Sequence, residues 1–197
     1  MKTNRLEAFS DGVFAIIITI MVLEFKVPHG AAFQDLQPLW PVLVSYVLSF
    51  IYVGIYWNNH HHIFHLAKSV NGAVLWANMN VLFWLSLLPF VTAWMGENHF
   101  AAIPMAVYCF DLLMCAVASF ILLQAIYSHE GPDSALQQAL GDTRKFKLSL
   151  ALSVLSVPVA FAGFTAAAGV LVTSVAALWV MPERRIEKAL SHPDVSP

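Results

Sequence analysis

Charge is what this sequence has least of. Asp, Glu, Lys and Arg make up 11% of its 197 residues, apolar side chains make up 59%, and the mean hydropathy is +0.70. A soluble domain carries about a quarter charged residues and about half apolar ones, so composition excludes a water-exposed globule. Cysteine is scarce too. Cys109 and Cys115 stand six apart in one apolar segment, on opposite faces of a helix. That spacing argues against a disulfide between them and matches no metal site. Low-complexity tracts, soluble domains and convincing internal repeats are all missing. The formal charge of −2 says nothing about partners; where the charges lie says more.

What fills the chain instead is one apolar run after another. About 20 mostly apolar residues cross a bilayer as helix, and six spans are predicted, at about 8–25, 39–66, 74–95, 101–127, 146–161 and 165–181. The first ends before Pro28-His29-Gly30, and the third stops at Gly96-Glu97-Asn98. The longest loop, Ser128 to Arg144, holds Gly131-Pro132 and Gly141-Asp142, and a tight turn near Gly163 separates the last two spans. The expected fold is an all-α membrane domain over 1–182 with a short tail at 183–197. Trp40, Trp57, Trp94 and Trp179 fall near span ends, as interfacial anchors do.

An even span count puts both termini on one side. That side receives Lys2, Arg5, Lys68, Arg144, Lys145, Lys147, Arg184, Arg185 and Lys188, nine of the ten basic residues, and the other receives only Lys26. The positive-inside rule then makes both termini cytoplasmic. A basic start, a short apolar run and Gly30-Ala31-Ala32 also mimic a cleaved leader. Glu7, Asp11, Glu24 and Lys26 argue against that reading.

The polar residues of the first half form a pattern of their own. Arg5-Leu6-Glu7-Ala8-Phe9-Ser10-Asp11-Gly12-Val13-Phe14-Ala15-Ile16 opens the first span. Further on come Gly54-Ile55-Tyr56-Trp57-Asn58-Asn59-His60-His61, Trp76-Ala77-Asn78 and Leu87-Leu88-Pro89-Phe90. These blocks resemble the first three spans of the transmembrane protein 175 family of potassium channels. The resemblance implies a prokaryotic member in the bacterial inner membrane. It also implies a homotetramer of six-helix subunits, its pore lined by the first helix of each, passing potassium in moderate preference to sodium. No cofactor, metal or nucleic acid is expected; the partners are potassium ions, lipid and further copies of the chain.

Gly12, Ile16, Thr19, Ile20 and Leu23 share one stripe of the first helix. Read on its residues alone, the stripe packs against neighbouring spans, as almost any membrane helix offers one. The resemblance makes Ile16 the constriction, with Thr19, Ile20 and Leu23 as further pore lining. No Thr-Val-Gly-Tyr-Gly loop occurs, so a filter built of carbonyl rings is excluded. Carbonyls of the first helix are already bonded along it, and a hydrophobic constriction gates by dewetting. The fourth span has no repeated arginines, so voltage sensing of the usual kind is not expected.

Arg5 and Asp11 are six apart, on different sides of one helix, so each should reach toward a neighbouring span. By resemblance Arg5, Phe9, Ser10 and Asp11 support the pore helix, with Asn59, His60, His61, Trp76 and Asn78 as the candidate clasp partners. A carboxylate ring at Asp11 would also attract cations. His61 and His65 share the four-residue spacing of zinc enzymes, but the glutamate beside the first histidine is missing. Asp111, deep in the fourth span, has no role assigned by the resemblance; a buried acid there points to a hydrogen bond, a protonated form or a proton pathway. A secondary transporter or a proton-permeable cation pathway is the alternative function. Related halves around broken helices would mark the transporter, and Pro89, Pro104 and Pro158 show no such pairing.

Overall fold

A computed structural model describes residues 3–131 and 144–180. The predicted tail at 183–197, most of the polar loop before Arg144, and Lys2, Arg184, Arg185 and Lys188 lie outside the described residues.

Six α-helices occur among the described residues: α1 (Asn4–Leu23), α2 (Trp40–Leu66), α3 (Gly72–Glu97), α4 (Ala102–Glu130), α5 (Arg144–Phe161) and α6 (Thr165–Val180). Four segments are long and apolar enough to cross a membrane: α1, the stretch Phe33–Leu66 that includes α2, α3 and α4. The sixteen-residue α6 is a shorter apolar helix, and α5 opens on three basic residues, Arg144, Lys145 and Lys147.

Local chemistry sets the ends. Asn71 caps α3, its side-chain oxygen accepting from the Val74 amide at 2.9 Å. Pro41 sits in the first turn of α2, where its missing N–H costs nothing. Gly163, with φ at 91°, closes α5 while the Phe164 amide reaches back to the Val159 carbonyl at 3.1 Å. One short element was not expected, a 3-10 turn at Phe33–Leu39. Asp35 organises it by accepting from the Ala32 amide at 2.9 Å.

α3 is the central post, packed against α1, α2 and α4, while the α5–α6 hairpin leans on α4 and α2. Polar side chains inside this bundle find one another. Ser49 of α2 meets Thr92 of α3 at 2.7 Å and the Tyr108 hydroxyl of α4 at 3.0 Å, which satisfies three buried hydroxyls in a medium with no water to offer. Gly96 lets α3 approach α2: a Cβ there would stand 2.5 Å from Ser45 Oγ and 2.8 Å from Val42 Cα. Cys109 and Cys115 are both buried free thiols.

Candidate functional site

The two faces of α1 have opposite environments. Leu6, Ser10, Phe14, Ile17 and Met21, spaced by three and four, turn inward against α2 and α3. Phe9, Gly12, Ile16, Thr19, Ile20 and Leu23 face outward, uncovered by the subunit's own helices. Ile16 is 57% exposed and Leu23 is 78% exposed, whereas Ile17 is 3% exposed. The Thr19 hydroxyl donates within its own helix, 3.0 Å from the Ala15 carbonyl and 2.9 Å from that of Ile16. The oxygen itself accepts no hydrogen bond among the described residues, and the residue is exposed. Beside this face α1 and α3 leave an open groove of about 660 Å³, lined by Ile16, Ile20, Phe90 and Trp94, with Glu24 and Glu97 at its outer end. Lys26 reaches Glu97 there at 2.6 Å. The Glu97 hydrogen bond, then its charge, raises the Lys26 ammonium above its ordinary value.

The inward face carries a polar ladder at the predicted cytoplasmic end. Ser10 donates to the Leu6 carbonyl at 2.9 Å and accepts from the Asn78 amide of α3 at 3.0 Å. That pins the amide's orientation, so its oxygen, 2.8 Å from His60 Nε2, is the acceptor and the His60 Nε2–H is the donor. Phe14 stands edge-on to the His60 ring at 5.5 Å. Alongside run two more rungs to α2: Trp57 Nε1–H donates to Asp11 at 2.9 Å, and His61 Nδ1 lies 2.9 Å from Glu7 Oε1.

The candidate residues therefore divide. Ser10, Asp11, His60, His61 and Asn78 come together between α1, α2 and α3. Arg5 is exposed and makes no hydrogen bond or ion pair among the described residues, Trp76 is 78% exposed, and Asn59 lines a neighbouring crevice that His60 also borders. Glu7 and Trp57 were not expected in the ladder. Their spacing held the signal: Glu7 and Asp11 are four apart on α1, as are Trp57 and His61 on α2, so two antiparallel helices pair them rung by rung. No three His, Cys, Asp or Glu side chains converge to hold a metal among the described residues. Asp111 is buried between the helices, with no hydrogen-bond partner for either oxygen among the described residues.

The chain is similar to known proteins. A family model described as the endosomal/lysosomal potassium channel TMEM175 matches residues 5–89, the stretch that holds the ladder and the outward face of α1. A potassium channel of a Chryseobacterium species is 50% identical over 192 residues, covering 98% of this chain and 100% of that protein. The crystal structure of a lysosomal potassium-selective channel TMEM175 homolog from Chamaesiphon minutus matches with a TM-score of 0.77 and 29% identity, over 90% of this chain and 96% of that chain. An endosomal/lysosomal proton channel TMEM175 of Gallus gallus is 34% identical over 76 residues, 32% of this chain and 15% of that protein.

Proposed function

This chain belongs to the TMEM175 family of potassium channels, and from that premise we propose that it is a passive potassium leak channel, moderately selective over sodium, with a hydrophobic constriction at Ile16. Its family is one of ion channels rather than enzymes. Four copies surround the conduction path with four first helices; closed symmetry is the usual solution when one subunit cannot enclose a pore. Each copy spans the bacterial inner membrane six times with both termini cytoplasmic.

One observation carries the reading: α1 keeps Ile16, Thr19, Ile20 and Leu23 uncovered while burying Phe14, Ile17 and Met21. An outward stripe so apolar, next to an open groove against α3, suits assembly with further copies around an axis. Ions then meet a ring of four Ile16 side chains. Narrow, such a ring dewets; slightly wider, it wets and conducts. Potassium passes more readily because it sheds its hydration shell at lower cost than sodium, and the Thr19 hydroxyl on the exposed face offers a replacement ligand. The ladder through Ser10, Asn78 and His60 holds the pore helix at a fixed distance from α2 and α3.

Purified protein in liposomes under opposing potassium and sodium gradients tests this directly. Unitary currents in a planar bilayer, at rates beyond any alternating-access carrier, support the channel; carrier-like turnover or a strictly monomeric active protein sinks it. A second reading, proton permeation, draws on the vertebrate relatives named proton channels and on Glu7, Asp11 and His61 at the cytoplasmic end. A pH-sensitive dye inside the same liposomes separates the two.

A further inference from the structure

Between α2 on one side and α4, α5 and α6 on the other lies a crevice of about 140 Å³, away from the outward face of α1. A cavity of that size takes a benzene-sized group. Tyr52, Tyr56, Phe120, Phe146 and Trp179 line it, and Phe120 stacks on Phe146 at 4.9 Å between ring centres. Two polar tips among these rings are already spent, Tyr52 on the Val172 carbonyl at 2.6 Å and Trp179 on Ser149 Oγ at 2.8 Å. Walls of this kind suit an aromatic guest, which can lie offset on one ring and edge-on to another. None of the lining residues among the described ones is Asp, Glu, Lys or Arg, so an ionised guest would bring a charge that nothing there balances.

One buried polar atom on this wall is not spent. His60 borders the crevice and is 4% exposed. Its Nε2–H is committed to Asn78, so Nδ1 carries the lone pair and can only accept. That nitrogen is buried with no hydrogen-bond partner among the described residues, whereas a buried acceptor ordinarily has a donor. Phe14 and Phe64 lie against the ring at 5.5 and 4.6 Å and have no donor to give. Asn59, the next residue on α2, also lines the crevice and makes no hydrogen bond among the described residues. An acceptor beside an amide asks for a group that both gives and takes a hydrogen bond. A hydroxyl does both.

We propose that the crevice is a binding site for a small uncharged phenol, its ring among the aromatic side chains and its hydroxyl donating to His60 Nδ1 while accepting from the Asn59 amide. Bound there, the phenol touches the imidazole whose other nitrogen holds Asn78. It therefore sits one hydrogen bond from the ladder behind α1. The site is argued from the crevice alone and needs neither the tetramer nor the gate.

The full chain in phosphatidylcholine vesicles is photolabelled with a phenol that carries a diazirine on its ring, and the modified peptides are mapped by mass spectrometry. Labelling should fall on crevice-lining peptides of α2, α4 and α5 and saturate with dose. Unlabelled phenol should compete about tenfold better than benzene at equal mole fraction in the membrane, the worth of one hydrogen bond to a buried acceptor. Anisole keeps the ring and the oxygen but has no donor, and should lose most of that advantage. Ala116→Leu, which fills the crevice from α4, should cut the labelling; if that variant does not fold, the comparison of phenol with anisole in the unaltered protein still decides. Equal competition by phenol and anisole overturns the proposal. So does labelling that never saturates or that misses the crevice. Potassium flux is not the readout, so failure here leaves the channel reading standing, and the reverse also holds.

Discussion

The Asn78 amide donates to the Ser10 hydroxyl across 3.0 Å, tying α3 to the first helix at a point neither residue shares with solvent. Asn78 has no freedom to turn its amide over, because Ser10 spends its own hydrogen on the Leu6 carbonyl and His60 occupies the amide oxygen. Asn78→Ala therefore orphans the His60 donor and removes a bond from Ser10. The expected loss is about 1–3 kcal/mol, read as a lower melting temperature or poorer oligomer yield. Ser10→Ala should cost less, and the double variant should show a coupling of at least about 0.5 kcal/mol. Additive effects would mean that the bond contributes nothing to the fold.

Asp11 presents a different balance. Spacing sent Asp11 toward a neighbouring span; its partner there is the neutral Trp57 indole, and Asp11 is only partly buried. Trp57→Phe should destabilise by about 1 kcal/mol, the worth of an ordinary hydrogen bond, because water at this partly wet site weakens the gain from the charge. Asp11→Asn, which keeps an acceptor, should be milder than Asp11→Ala. Thermal melts of the three variants in detergent check the order. If Asp11→Asn assembled normally and shifted ion preference, Asp11 would belong to the conduction path rather than to the support.

Gly96→Ala probes the close crossing of α3 on α2. The new methyl meets Ser45 Oγ, which can turn, and the Val42 backbone, which cannot. Separating two packed helices by a few tenths of an ångström should cost about 1–3 kcal/mol. Melting should fall while potassium-over-sodium preference stays unchanged, since Gly96 lies away from the outward face of α1. A neutral result would show that the two helices separate freely here.

The order of helices was legible because long apolar runs broke at Pro28-His29-Gly30, at Gly96-Glu97-Asn98 and at Gly163. The turn at Phe33–Leu39 was not, since Phe33, Leu36 and Leu39 alone carry too little periodicity. Facing residues on one helix follow from spacing, and so the split between Ile16 and Ile17 could be read in advance. Partners on other helices do not follow: a lone serine or tyrosine in an apolar run says nothing of which neighbour it meets. Ser49, Thr92 and Tyr108 found each other across three helices for that reason unannounced. Arg5 and Trp76 failed the same test in the opposite sense, placed by resemblance in a clasp whose contacts they do not make within one subunit.

The constriction separates packing from conduction most cleanly. Ile16 and Ile17 are neighbours about 100° apart around α1, the first 57% exposed within the subunit and the second 3% exposed. Ile16→Asn puts an amide on the outward face, where no packed neighbour is disturbed. Four such amides in a ring would hold water where four alkyl groups exclude it, lowering the dewetting barrier. Leak current should rise and potassium preference weaken, with the melting temperature little changed. Ile17→Asn instead buries an amide among Phe14, Met21 and the α2–α3 wall, at a cost on the order of 3 kcal/mol from lost packing and an unsatisfied polar group. It should lower stability and yield without opening the path. Paired measurements of melting temperature and liposome flux distinguish the two outcomes. Should Ile17→Asn leak while Ile16→Asn conducts and selects like the parent, the outward face of α1 does not line the pore.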